Sequence, residues 1–469
     1  MPEPARTRFR VPVELSVPRL LGAAGYAVQT SPASRRTTDL LDTADGRLAV
    51  ASAELRFSPR SGWTWLRDPQ GNPKLRASEW TAPASTDASV LRTWSRAYHR
   101  GSALAPRVSV VASRRTHRVR RDGGPEILTL VDERLDERAA VGPDSQVRLL
   151  RLVSSEDAAA TREVLDIIAD HEVPGPASTA LPDPRAVDAR SLFRRSTGLS
   201  LMQWMYFDCE LGGGRTDALR KLRVATRRLR SDLQTFRPLL DRAWADGLRQ
   251  RIGGLAHELG LVRDAEVLAA RVAALGGEAT RVDSAEALAL QDIARSQLGA
   301  ARRTLLATLE APAYLELLDA VSVGVAEPMW GDGDLVPSVT AMARRAWARL
   351  RDFVASTRGQ GDDDERLHRV RILAKRTRYA VEACVPAIGE PADASARAVA
   401  ELQAVLGDHH DAAVTRAWLR AQADAATGLA YTAGELAALE LGRLNAAAAR
   451  WPGVWADASR KKDWRWLRS

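Results

Sequence analysis

An internal repeat limits the architecture of this chain more than any other feature of its sequence. Residues 219–230 (LRKLRVATRRLR) align with residues 367–378 (LHRVRILAKRTR). A second block follows at nearly the same offset, in which residues 259–265 align with residues 406–412. Repeated helical units usually pack with their equivalent faces related by a pseudo-twofold axis. The sequence therefore predicts two helical units of similar plan.

Each repeated segment places a row of cations beside an apolar stripe. At about 100° per residue, the basic row of the first segment falls within a sector of roughly 80° on a helix. The second segment repeats the arrangement, with a histidine in the first position. Packing of the apolar stripes would bring both rows to the same groove or cavity. The predicted anion-binding residues are Arg220, Arg223, Arg227, Arg228, Arg230, His368, Arg371, Lys375, Arg376 and Arg378.

A ladder of like charges on one helix favours a polyanionic ligand. Cations three and four positions apart lie about 4.5–6 Å apart along the axis, and their repulsion costs roughly 0.2–0.5 kcal/mol per pair in an isolated helix. A bound polyanion removes that cost, and arginine offers planar, bidentate donors to phosphate oxygens. The alternative is a solvated face whose charges pair with nearby Asp and Glu. Recurrence of the row in both repeats favours anion binding.

The charge balance of the chain also indicates an anionic partner. Lys and Arg number 68 against 59 Asp and Glu, for a net charge of +9. This excess suits polyphosphate, nucleic acid or an acidic membrane surface, and charge alone does not choose among them. No apolar run reaches about 18 residues and the N-terminus has no hydrophobic signal core. We therefore expect a cytoplasmic protein without a membrane span.

The apolar pattern changes along the chain and predicts at least two domains. From about residue 6 to 153, apolar and polar residues alternate with the two-residue period of strands, and turn residues near 122–125 predict a hairpin. Beyond residue 190 the helical period takes over. The expected interruptions of the helices are residues 212–214, 253–254, 276–277, 331–333 and 359–361.

A segment rich in proline, alanine and small polar residues separates these two halves, as a linker would. The predicted divisions are a β-rich domain over residues 1–172, a linker over 173–189, a helical domain over 190–455 and a basic tail over 456–469.

The basic repeat resembles the conserved-histidine α-helical domain (CHAD) family, whose members carry a His-x-x-Arg-x-x-x-(Lys/Arg)-Arg-x-Arg helix in each of two repeats. The second repeat matches this pattern in full at His368, Arg371, Lys375, Arg376 and Arg378. Arg220 stands where the first repeat would have its histidine, which preserves the positive charge. Residues 401–412 are similar to the family's ELQ…LG-x-x-x-D-A signature. The resemblance covers about residues 190–450 and implies a two-repeat bundle whose central basic cavity binds inorganic polyphosphate.

The N-terminal half is similar to CYTH domains, which form an eight-stranded antiparallel tunnel. Residues 9–12, 41–48 and 54–56 resemble the opening strand and the YxDTxxxxL…LR segment of that family. The expected fold class is therefore multidomain α+β, with an antiparallel CYTH-like β-tunnel followed by an all-α two-repeat helical bundle.

The carboxylates that a CYTH triphosphatase needs are missing from the matching positions. The Glu-x-Glu-x-Lys motif of that family falls on Pro4, Arg6 and Arg8. Mg²⁺ or Mn²⁺ requires hard oxygen ligands, and the remaining acids, Asp132 and Glu133, are neighbours that point to opposite faces of a strand. We expect a degenerate, non-catalytic domain.

This domain has three candidate secondary anion-binding residues, Arg8, Arg56 and Arg114. Salt bridges are the alternative role for each of them.

Three functions agree with these features. The first is binding of inorganic polyphosphate, with polyphosphate granules and their enzymes as candidate partners. The second is a metal-dependent inorganic triphosphatase of the CYTH type, and the third and least favoured is nucleic-acid binding by basic helices.

No cofactor and no catalytic residue is predicted. No metal site is predicted either, because His409 and His410 point about 100° apart on a helix. Cys209 and Cys384 show no CxxC spacing, so we expect both to be buried apolar side chains.

Overall fold

The chain divides into two compact units, Met1–Leu181 and Pro182–Ser469. The first contains an antiparallel sheet and the second is helical. The computed structural model describes residues 8–67, 75–121, 123–140, 143–173, 188–212, 215, 217–278, 284–331, 338–357, 359 and 364–468. Most of the predicted linker lies outside the described residues.

The N-terminal unit is built on a nine-stranded antiparallel sheet, one strand more than the resemblance implies. Its strands are β1 (Arg8–Val11), β2 (Tyr26–Thr30), β3 (Ser34–Asp42), β4 (Ala53–Ser58), β5 (Gly62–Arg67), β6 (Ser78–Ala82), β7 (Ala105–Arg121), β8 (Glu126–Ala139) and β9 (Ser145–Ser155). The strand order is β1-β9-β8-β7-β3-β4-β5-β6, with β2 paired to β7. Its helices are α1 (Val17–Ala23), α2 (Arg47–Val50), α3 (Ala88–His99) and α4 (Ala158–Ala169). The sheet fits a CYTH-like tunnel and confirms the predicted fold class.

Strands β7 and β8 form the predicted hairpin. Val119 pairs with Leu128 across it, and Gly123 in the turn has φ +70°, which glycine adopts at little cost. Leu128 and Leu130 are fully buried, because alternate residues of a strand share one face. This face packs in a core with residues of α1 and α4.

Nine helices make up the described part of the second unit. They are α5 (Ala189–Gly212), α6 (Ala218–Thr235), α7 (Arg242–Glu278), α8 (Ser284–Glu310), α9 (Pro312–Ala326), α10 (Val339–Ser356), α11 (Asp364–Ile388), α12 (Glu390–Ala425) and α13 (Ala430–Ala458). Short 3-10 helices occupy Arg237–Leu239, Thr427–Leu429 and Lys461–Arg468. The helical prediction for this half is confirmed.

The two repeats use equivalent helices. The basic segments lie on α6 and α11, and the second blocks lie on α7 and α12. Helix α6 packs against α11, and α7 packs against α12. In the first repeat, α5 packs against α6 and α8 packs against α7. In the second repeat, α10 packs against α11 and α13 packs against α12 in the same way. The predicted two-repeat bundle is therefore confirmed.

Two of the expected helix interruptions are wrong. Residues 253–254 and 276–277 lie inside α7, which continues for 37 residues. A glycine inside a helix costs only about 1 kcal/mol relative to alanine. Burial of Ile252, Leu255 and Leu259 on the same helix outweighs that cost.

The C-terminal segment packs back onto the helical unit. Trp464 and Trp466 are buried in a core with Trp347 of α10. Trp464 stacks on Trp347 with ring centroids 3.8 Å apart, and Trp466 Nε1 donates to Ser395 Oγ at 3.0 Å. The tail is thus anchored by its aromatic residues.

Candidate anion-binding site

Helices α6 and α11 each bury an apolar face and carry cations beside it. Leu222 and Leu229 of α6 are buried, as are Leu367 and Val370 of α11. This is the pattern expected of a helix whose apolar stripe faces a core. Because α6 packs against α11, the cations beside the two stripes approach each other.

Four cations at this contact define what we call the basic cluster: Arg223 and Arg227 of α6, with Arg371 and Lys375 of α11. All four are half-buried. Burial lowers the pKa of Arg223, and the charges of Arg227 and Arg371 lower it further. Burial and the three arginine charges together lower the pKa of Lys375 to about 7. These shifts show that cations of both repeats share one electrostatic environment.

Two carboxylates, Asp264 of α7 and Asp411 of α12, face the basic cluster from the second repeated block. They occupy equivalent positions in that block. Arg223 Nη2 lies 4.0 Å from Asp264 Oδ1. Burial raises the pKa of Asp411, while the charge of Arg371 acts to lower it. We did not predict these two aspartates as site residues, although the aligned Asp-Ala pair at 264–265 and 411–412 was a signal for them.

The guanidinium groups of the basic cluster retain unused donors. The Nε atoms of Arg227 and Arg371 are buried, and neither has a hydrogen-bond acceptor among the residues that the structure describes. A buried donor without an acceptor costs about 1–3 kcal/mol. A ligand that supplies oxygen acceptors would recover this energy.

A histidine pair borders the basic cluster. The rings of His368 and His410 have centroids 4.9 Å apart. Burial lowers the pKa of His410 to about 4, with contributions from Arg371, His368 and Lys375. Burial and the charges of Arg371 and Lys375 also lower the pKa of His368.

Two of the predicted residues, Arg228 and Arg378, pair with the same carboxylate, that of Glu382. Arg228 Nη1 lies 3.0 Å from Glu382 Oε2, and Arg378 Nε lies 2.7 Å from Glu382 Oε1. Arg378 Nη1 also donates to Gln403 Oε1 at 3.2 Å. Both cations are therefore engaged within the protein.

Arg230 and Arg376 belong to a different basic region, with Arg249 of α7 and Arg349 of α10. Burial lowers the pKa of Arg230, and the charge of Arg249 lowers it further. Burial likewise lowers the pKa of Arg376, with a contribution from the same arginine. Arg376 and Arg349 line a cavity of about 200 Å³. The remaining candidate, Arg220, is exposed on α6.

Of the three candidates in the N-terminal unit, the structure describes the side chains of Arg56 and Arg114. Arg56 Nε donates to Glu54 Oε2 at 2.8 Å, Arg114 is exposed, and the side chain of Arg8 lies outside the described residues. A cavity of about 700 Å³ is lined instead by Arg35, Arg115, Arg134, Arg138 and Arg148, among other residues. Arg114 and Arg115 are neighbours on β7, so their side chains point to opposite faces of the sheet.

Asp132 of β8 also lines this cavity, but its oxygens are occupied. Arg148 Nη2 lies 2.7 Å from Asp132 Oδ2 and Arg148 Nε donates to Oδ1 at 2.9 Å. His117 Nε2 lies 2.9 Å from Oδ2. Burial alone would raise the pKa of Asp132, but these hydrogen bonds outweigh it and lower the pKa to about 2.

No group of three or more His, Cys, Asp or Glu side chains is arranged to hold a metal ion in the described part of the chain. Among the same residues, no helix combines the length and the apolar character that crossing a bilayer requires.

The helical unit is thus a two-repeat bundle in which equivalent basic helices meet. The family model of the CHAD domain matches residues 200–420, which lie within the helical unit. Two uncharacterized proteins from different strains of Mycobacterium tuberculosis are 35% identical over 288 residues, which covers 58% of this chain and 51% of each relative. The chain therefore spans about half the length of these curated relatives.

The solved structures to which this chain is similar include the following three. PptA from Streptomyces chartreusis has a TM-score of 0.49 at 23% identity, covering 56% of this chain and 98% of its own. The CHAD domain from the plant Ricinus communis has a TM-score of 0.48 at 25% identity, covering 61% and 97%. A putative adenylyl cyclase from Hippeastrum, described as having a dominant triphosphatase activity, has a TM-score of 0.20 at 14% identity, covering 37% and 92%.

Proposed function

We propose that the helical unit binds inorganic polyphosphate at the basic cluster. The observation that carries this proposal is the pair of buried, unsatisfied Nε donors on Arg227 and Arg371, which come from equivalent helices of the two repeats. The CHAD domain supports a polyphosphate-related function in general. Polyphosphate granules and their enzymes are then candidate partners.

A chain of phosphates suits this cluster for two reasons. Arg223 and Arg227 are four residues apart, as are Arg371 and Lys375, so each helix offers cations about 6 Å apart along its axis. A flexible polymer with a charge on every unit can neutralise several of them at once. The cluster is also half-buried, and a duplex carries its phosphates on a rigid outer surface that reaches such cations poorly. We therefore favour polyphosphate over nucleic acid.

The test is the affinity of the full chain for long-chain polyphosphate, measured with excess duplex DNA and RNA present. The informative variant is Arg223→Glu/Arg371→Glu. Its matched control is Arg295→Glu/Arg303→Glu, which makes the same charge change at exposed positions of α8. Circular dichroism reports whether each variant keeps its helical content.

We expect the cluster variant to lose about 100-fold or more in affinity, since each reversed cation removes a charge-assisted contact. The control should stay within about threefold of the parent. Equal binding by the two variants, or displacement of polyphosphate by nucleic acid, would overturn the proposal.

A further inference from the structure

A second cavity in the helical unit lies apart from the basic cluster. Its volume is about 1010 Å³, and residues of α10, α11, α13 and the C-terminal 3-10 helix line it. None of the four cluster residues is among them. Small-molecule sites usually have volumes of about 300–1,000 Å³, so this cavity could hold a ligand of ordinary size.

Aromatic side chains form one part of the lining. Trp347 and Trp464 stack on each other and are buried. Trp455 is only half-buried, and its ring is tilted by 36° against Trp347 at a centroid distance of 5.7 Å. Because Trp455 is not fully covered by these neighbours, it offers the cavity an aromatic surface for stacking.

The charged part of the lining is entirely basic. Arg344, Arg351, Arg366 and Lys461 line the cavity, and no carboxylate stands among its described lining residues. Arg351 pairs with Asp352 at 2.8 Å, and Arg366 Nε donates to Thr357 Oγ1 at 3.0 Å. Arg344 and Lys461 are exposed, so they can turn toward a bound anion at little cost.

We propose that this cavity binds a nucleoside polyphosphate. A ligand with both a planar ring and several negative charges matches a lining that is aromatic in one part and cationic in another. Stacking of a base on tryptophan contributes sequence-tolerant affinity, and arginine and lysine are the usual partners of phosphate. Bare polyphosphate would leave the aromatic surface unused. This inference does not depend on polyphosphate binding at the basic cluster.

The test is isothermal titration calorimetry of the full chain with ATP, adenosine and tripolyphosphate. It is carried out in the Arg223→Glu/Arg371→Glu background, where the basic cluster does not add phosphate binding. The cavity variants are Trp455→Ala, Trp455→Phe and Arg344→Glu/Lys461→Glu. The control is again the exposed pair Arg295→Glu/Arg303→Glu. Circular dichroism and thermal melting identify any variant that fails to fold.

We expect ATP to bind at least about 10-fold more tightly than adenosine or tripolyphosphate. Trp455→Ala and Arg344→Glu/Lys461→Glu should each lower the affinity for ATP by about 10-fold or more. Trp455→Phe and the control should keep the affinity of the parent for ATP. The charge variant alters exposed side chains, so it remains informative if Trp455→Ala misfolds. Absence of ATP binding, equal affinity for tripolyphosphate, or unchanged affinity in folded cavity variants would overturn the proposal.

Discussion

The Nδ1 atoms of His368 on α11 and His410 on α12 lie 3.3 Å apart, at the edge of the basic cluster. One ring donates and the other accepts in this contact, which requires at least one ring to be neutral. Burial and the neighbouring cations lower the pKa of both histidines. Without a ligand, the two histidines therefore favour their neutral forms. A bound polyanion would favour their protonated, positively charged forms.

Polyphosphate binding should take up protons and strengthen as the pH falls from 8.5 to 6.5. The folded-state pKa of Lys375 is about 7, well below its usual value, so the free site loses this charge as the pH rises through 7. A bound polyanion favours the protonated form and raises the pKa. The charged groups around Lys375 are Arg371 on its own helix, Arg223 and Arg227 on α6, and Asp411 on α12.

Calorimetry in buffers of different ionisation enthalpy counts the protons taken up. Lys375→Arg keeps the charge at every pH, so this variant should lose most of the pH dependence. Constant affinity of the parent between pH 6.5 and 8.5 would contradict the prediction.

The cations that pair with Glu382 should contribute less to polyphosphate binding than the basic cluster. Arg228 and Arg378 each lie within 3.0 Å of that carboxylate, so a ligand must compete with an existing ion pair. We expect Arg228→Ala and Arg378→Ala to weaken binding by about threefold at most, and Arg227→Ala and Arg371→Ala by about 10-fold or more. Dissociation constants of these four variants at one salt concentration test the order. The reverse order would indicate that polyphosphate binds near Glu382 rather than at the basic cluster.

Removal of the buried carboxylate of β8 should destabilise the N-terminal unit. Asp132→Ala leaves Arg148 and His117 without their shared partner, and breaking such a buried pair costs about 3–5 kcal/mol. The folded-state pKa of Asp132 is about 2, below the unfolded value of about 3.9. The ionised carboxylate of Asp132 therefore stabilises the folded state fully above a pH of about 3.9, and this stabilisation is lost as the pH falls toward 2.

Urea unfolding at pH 7 and pH 3 measures this effect. Asp136→Ala, on the same strand, serves as the control because its pair with Arg134 is exposed. A similar free energy of unfolding for both variants would argue against the role assigned to Asp132.

The N-terminal unit should not hydrolyse tripolyphosphate with Mg²⁺ or Mn²⁺. Metal ions of this kind need carboxylate oxygens that are available as ligands. The carboxylates that line the cavity are Asp132, Asp136, Glu137 and Asp144. Each of them accepts a hydrogen bond within the protein. The measurement is phosphate release with each metal over a range of pH. Metal-dependent release that disappears in Asp132→Asn would show that this unit is catalytic.

Asp232→Asn should stabilise the helical unit at alkaline pH. Asp232 is buried, and Ser196 Oγ donates to its Oδ2 at 2.8 Å. Burial raises the pKa of Asp232 to about 7, against the lowering effect of Arg228. Because the unfolded value is about 3.9, the folded state binds more protons in this interval and loses stability as the pH rises from about 3.9 to 7.

Asparagine does not titrate, so the variant should gain roughly 1–3 kcal/mol over the parent on going from pH 5 to pH 8. Thermal unfolding at the two pH values measures the difference. A parallel pH dependence in parent and variant would show that Asp232 is charged in the folded protein.

The type of secondary structure in both halves of the chain could be predicted because its signals are local. Alternating apolar residues specify strands, a period of 3.6 specifies helices, and both can be recognised without knowledge of tertiary contacts. The repeat added one long-range inference, that α6 and α11 pack together, because equivalent segments tend to occupy equivalent positions. It also placed cations of both segments near one another.

Only the tertiary structure decided which cations meet, since this depends on how each helix is rotated and what packs beside it. Arg223, Arg227, Arg371 and Lys375 meet at one contact, whereas Arg228 is turned toward Glu382. In the sheet, the side chains of Arg114 and Arg115 point to opposite faces, and of these two residues only Arg115 lines the cavity. Local sequence determines the type and periodicity of each element. The partners of a charged side chain come from segments distant in the chain, and their positions are set by the packing of the whole core.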